Sequence, residues 1–138
     1  MRIKYPLLLP IAAVLAGCAS PFRPPTDVAH IKLERVDSPV VMVEKIWLER
    51  KDGSLAVAGY VVKRLGATDT THTHLDVTLY DKAGQVLRSA VEHFEPRQIT
   101  WRHRGLSYAS YHVVLDPLPA DTARIDVVAH EGEHSLAH

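Results

Sequence analysis

The chain has 138 residues, 46% of them hydrophobic and 23% charged, which sets it among ordinary globular domains and rules out a disordered or fibrous chain. Sixteen basic side chains balance sixteen acidic ones, so it lacks the concentrated basic surface by which nucleic-acid binders displace phosphate counterions. A multi-domain enzyme and a polytopic membrane protein are excluded by length, and a nucleic-acid partner by charge.

Residues 1–17 read as an export signal: Arg2 and Lys4, an apolar run over 7–15, then small residues. The run holds Pro10 and falls short of the roughly 20 residues that span a bilayer as a helix. Without Arg2 and Lys4 the mature chain carries 14 basic against 16 acidic groups. The signal ends in Leu15-Ala16-Gly17-Cys18, which resembles the lipobox of bacterial lipoproteins. That resemblance implies cleavage before Cys18, acylation of its thiol (palmitate among the chains) and attachment to the membrane through lipid. Ala19 and Ser20 follow with no aspartate after the cysteine, and in enteric-type lipoproteins this implies the outer membrane, facing the periplasm. Cys18 is the only thiol, so no intrachain disulfide is available in that oxidising compartment. Pro21, Pro24 and Pro25 make residues 18–28 an extended spacer.

From residue 29 to 129 strand-like runs alternate with turn signals, and no stretch shows a long apolar stripe at helical spacing. Strands are expected at 30–36, 40–50, 54–64, 72–80, 85–94, 99–103, 107–115 and 124–129. The alternation is clearest where Leu75, Val77 and Leu79 share one face and His74, Asp76 and Thr78 the other. Lys51-Asp52-Gly53-Ser54 and Asp81-Lys82-Ala83-Gly84 supply the glycine of tight hairpin turns. Pro117 and Pro119 lack the N–H a ladder needs, so 116–121 is expected to be a loop between sheets. Seven or eight short strands at this spacing predict an all-β fold, an immunoglobulin-like antiparallel β-sandwich. Val57-x-Gly59-x-Val61, followed by Leu75-x-Val77-x-Leu79-Tyr80-Asp81-x-x-Gly84-x-Val86-Leu87, resembles the FxLYD-type domains of bacterial exported proteins. That likeness implies the same small sandwich without assigning a biochemical role.

Candidate chemistry is sparse. His130-Glu131-Gly132-Glu133-His134 spells H-E-x-x-H, but it follows an expected strand and contains Gly132, whereas the metallopeptidase motif needs a helix. A metallopeptidase is therefore the remote alternative. His130, His134 and His138 are spaced to align on a helix, and His72 and His74 to share a strand face. These five, in a tail expected over 130–138 and on a strand, make a weakly bound copper or zinc ion the main alternative reading. No Gly-x-Ser-x-Gly elbow or glycine-rich phosphate loop occurs, so neither nucleophilic catalysis nor a nucleotide is expected and no catalytic residue is named.

Aromatic and arginine side chains on an expected hairpin over 99–115 give the binding candidates: Trp101, Arg102, Arg104, Tyr108 and Tyr111. Trp, Tyr and Arg are enriched at interface hot spots. Alternation sends Tyr108 and Tyr111 to opposite faces, so one of them belongs to the core, as does Trp47. The expected function is a non-catalytic, lipid-anchored protein-interaction or structural module of the cell envelope, whose partner is another envelope protein.

Overall fold

A computed structural model describes residues 22–101 and 107–132. Period-two alternation becomes seven strands: β1 Lys32–Val36, β2 Val41–Lys51, β3 Ser54–Lys63, β4 Thr73–Tyr80, β5 Val86–Glu92, β6 Tyr108–Val114 and β7 Arg124–Glu131. They form a four-stranded sheet, ordered β1-β7-β4-β5, and a three-stranded sheet, ordered β2-β3-β6. The domain is thus all-β, two sheets in a sandwich, as the sequence predicts. Both hairpins are where the turn residues put them. Asp52 (φ 53°) and Gly53 (φ 80°) join β2 to β3, and Gly84 (φ 82°) lies between β4 and β5. Residues 116–121 connect β6 in one sheet to β7 in the other.

The core lies between the sheets. Leu75, Val77, Leu79, Ile125 and Val127 from one face meet Val41, Val43, Leu48, Leu55, Val57 and Val61 from the other, all 1% exposed or less. Burying each such side chain contributes about 1.5–3 kcal/mol. Glu131 closes one end of β7. Its carboxylate accepts hydrogen bonds from Ser38 Oγ at 2.7 Å and Thr73 Oγ1 at 2.8 Å, tying the β1–β2 corner to the start of β4.

Three expectations need correction. The sandwich is not antiparallel throughout, because β1 pairs with β7 in parallel, Lys32 opposite Arg124 and Val36 opposite Val128. Residues 99–101 form no strand. The polar groups around them are committed to the loop before β4 instead. Thr70 Oγ1 donates to the Arg97 carbonyl at 2.6 Å and accepts from Ile99 N at 2.9 Å, and Arg97 donates to the Thr71 carbonyl at 2.6 Å. Ile99 is thereby seated in the core, and β6 pairs beyond β3 only through the isolated Glu95–Ser110 bridge among the described residues. The third correction is Trp47, which is half-buried on the outside of its sheet.

The cause is a β-bulge. The β2–β3 register shifts between Val43 and Lys45, leaving Glu44 without a partner. Before it, Val41 and Val43 point into the core; after it, Leu48 does, so Lys45, Trp47 and Glu49 turn outward. Arg35 of β1 donates to the carbonyls of Val43 (3.0 Å) and Glu44, and Tyr111 Oη donates to that of Lys45 at 3.0 Å. To get there, the Tyr111 ring lies over Gly59, its cross-strand partner, where a Cβ would be 2.2 Å from the phenolic oxygen and 2.0 Å from the Lys45 carbonyl oxygen. Burial pushes the Tyr111 phenol well above its ordinary pKa, so it stays a neutral donor.

Gly59→Ala is therefore expected to destabilise the domain by about 3 kcal/mol, the upper range for overpacking, and Tyr111→Phe by about 1 kcal/mol for one lost hydrogen bond. Urea denaturation midpoints check both; a Gly59→Ala midpoint equal to wild type contradicts the packing described.

Candidate functional site

Turned outward by the bulge, Trp47 is the centre of an aromatic row on the outer face of the three-stranded sheet. Its ring stands 5.0 Å from Phe22 and 5.3 Å from Tyr60, and Tyr60 stands 5.4 Å from Tyr108. Both outer contacts of the row are edge-on at 70° and 78°, the geometry in which ring edge meets ring face favourably. Cross-strand pairing sets the order: Lys45 opposite Tyr60, Tyr60 opposite Ser110, and Val62 opposite Tyr108.

Small residues between the rings keep this surface low. Ala58 lies between Trp47 and His112, and Ala56 between Glu49 and Val114. Glu49 fixes one end, accepting a hydrogen bond from Trp47 Nε1 at 3.0 Å while its other oxygen is 3.4 Å from His112 Nε2. At the other end, the Lys45 ammonium sits 4.5 Å from the Phe22 ring centre, a cation–π contact. Lys45 also separates two shallow hollows of about 350 and 300 Å³, one bordered by Phe22 and Trp47, the other by Tyr60 and Tyr108. Phe22 and Tyr108 remain 41% and 57% exposed. The result is a held, amphipathic surface whose rings lose little conformational entropy on contact with a partner.

Part of the expected spacer is therefore packed on the domain. Phe22 lies on Trp47, Asp27 pairs with Arg50, and Val28 is buried in the core.

The four-stranded sheet presents different chemistry. Its outer face carries His74 and His130 directly opposite one another on β4 and β7, with Asp76 two residues along β4. The imidazole rings are 5.2 Å apart at 45°, and His74 Nε2 is 3.6 Å from Asp76 Oδ1. One ligand atom from each of the three lies within 4.8 Å of the other two. His74 is only 5% exposed, although alternation alone marks its face as wet; His130 is exposed and Asp76 half-buried. At the far end of this face Arg124 pairs with Asp126 at 2.9 Å and stacks 4.1 Å from the Tyr80 ring centre.

The expected site residues thus separate. Tyr108 joins the aromatic row. Trp101 is 52% exposed but stands at the edge of the sandwich, 5.2 Å from the Lys63 ammonium. Tyr111 is not a binding residue: it is 3% exposed, on the inner face of β6. His74 meets His130 rather than His72, which is exposed beside Asp69 at 3.7 Å. His130 sits in a strand, so the helix expected to align it with His134 and His138 does not begin there, and β7 continues through Glu131 where a tail was expected from residue 130. His130 and Glu131 consequently face opposite ways, with Glu131 held by Ser38 and Thr73, which is not how the H-E-x-x-H motif uses them. Cys18, Arg102, Arg104, His134 and His138 lie outside the described residues.

Sequence reasoning left out Phe22, Trp47 and Tyr60 as a surface and Asp76 as a ligand. The alternation that places Asp76 with His74 was visible; the β7 register that brings His130 to them was not. Comparison of the chain with protein-family models, curated proteins and solved structures found no match.

The row's internal coupling is measurable. Trp47→Ala is expected to cost about 2 kcal/mol, and a double-mutant cycle between Trp47 and Tyr60 to give a coupling of about 1 kcal/mol. Additive single effects in that cycle contradict the ring contact.

Proposed function

We propose that the protein is a lipid-anchored envelope lipoprotein, tethered through Cys18 to the outer membrane, whose periplasmic sandwich binds another envelope protein and catalyses no reaction. The observation that carries the binding half is the aromatic row from Phe22 through Trp47 and Tyr60 to Tyr108. Four rings stand together on one outer sheet face, bordered by Lys45, Glu49 and His112. Buried aromatic anchors within a polar rim are what protein interfaces use. The anchoring half rests on Leu15-Ala16-Gly17-Cys18 behind its basic and apolar leader.

The two halves fit together. Phe22 packs on Trp47 only four residues after Cys18, so a lipid on that thiol holds this face close to the membrane surface. A partner met there is already confined near the same membrane, which raises its effective concentration.

Two measurements test this. Mass spectrometry of protein from its native host is expected to find a mature form beginning at acylated Cys18; an unmodified thiol, or a start elsewhere, contradicts the tether. In vivo crosslinking is expected to recover one envelope protein with the wild type, with recovery reduced about tenfold or more by Tyr108→Ala, since an aromatic hot spot contributes 2 kcal/mol or more. Tyr108 is exposed, so its loss spares the fold. Equal recovery with the variant contradicts the assigned surface.

A further inference from the structure

We infer that His74, His130 and Asp76 form a binding site for a divalent transition-metal ion of the zinc class, on the outer face of the four-stranded sheet. This stands apart from the anchoring and partner readings, which concern the opposite sheet.

Ligands bound at about 2.1 Å to a tetrahedral ion are separated by about 3.4 Å. His74 Nε2 and Asp76 Oδ1, at 3.6 Å, already stand close to that separation. The three-atom set spans no more than 4.8 Å, and His130, its exposed member, is the side chain whose rotation would draw the set together. The backbone is fixed in the needed relation, because His74 and His130 are a directly paired couple on two central strands and Asp76 follows on the same face.

Two imidazoles and one carboxylate, with no thiolate, suit zinc and its neighbours copper(II) and nickel(II) rather than calcium, magnesium or copper(I). Three protein ligands leave a coordination position open for water. Beside His74 is a recess of about 360 Å³ bordered by His72, His93 and Arg97. Arg97 donates to the Thr71 carbonyl at 2.6 Å, which directs its guanidinium to the loop. Val36, Val91 and Val128 lie in the cross-strand row of Asp76, so the polar set is bordered by apolar side chains on that side.

The test is calorimetric titration of the metal-free full chain with ZnCl2, with Co2+ absorption as the coordination readout. Wild type is expected to bind one Zn2+ per chain saturably at micromolar concentration, to gain thermal stability with Zn2+, and to give the visible bands of low-coordinate Co2+. His130→Ala and Asp76→Asn alter exposed or half-buried positions and so keep the fold, as circular dichroism will verify. Each is expected to weaken binding by about tenfold or more and to abolish the Zn2+-dependent stabilisation. The double variant His134→Ala/His138→Ala is expected to bind as wild type does. Non-saturating wild-type binding, unchanged binding in His130→Ala and Asp76→Asn, or loss of binding in the His134/His138 variant would each overturn the assignment.

Discussion

The bulge at Glu44 is the constraint on which the aromatic surface depends. Side chains in a strand alternate with a period of two, so one extra residue exchanges the two faces for everything that follows. Leu48 moves into the core and Trp47 out of it. The bulge is held from three directions: Arg35 of β1 binds the Val43 and Glu44 carbonyls, Tyr111 of β6 binds the Lys45 carbonyl, and Gly59 of β3 supplies the space the tyrosine occupies. Three strands from both sheets therefore agree on the phase of β2. A device over-determined in this way persists against the local disruption of the ladder that it introduces.

The sandwich has two unlike outer faces. One presents a row of rings steadied by Glu49 and Lys45; the other presents His74, His130 and Asp76 at one end and a stacked Arg124–Asp126 pair at the other. Both outer faces are built from positions that alternation leaves over once the core is filled, so the same pleat that packs Leu75, Val77 and Leu79 also lines up the polar set beside them. The N-terminal segment joins one of these faces, since Phe22 completes the aromatic row. In the proposed reading this gives the anchor and the binding surface a common location.

Much of the fold was legible because local signals were strong. Strict alternation marked β4, and Asp-Gly and Ala-Gly turns marked both hairpins. What failed was non-local. The parallel pairing of β1 with β7 joins residues at opposite ends of the domain. A strand was expected from residue 99, yet the polar groups of Arg97, Gln98 and Ile99 are taken by Thr68, Thr70 and Thr71. The bulge did leave a trace: unbroken alternation from Val41 and Val43 would bury Lys45 and Glu49, whereas a one-residue shift buries Leu48 and frees both charges. Of the candidate sites, Tyr108 and His74 were named from sequence, but Trp47 was assigned to the wrong face and Asp76 passed over, because each gained its role from a neighbour that only the sheet register supplies.

The central claim is that Trp47 stands outside the sandwich, in a row with Phe22 and Tyr60. Proton nuclear Overhauser contacts of its indole ring, in protein with Trp101 replaced by phenylalanine so that one indole remains, test it directly. The account predicts contacts from the Trp47 ring to the aromatic protons of Phe22 and Tyr60; contacts instead to the core methyls of Val57, Leu75 or Val127 would contradict it.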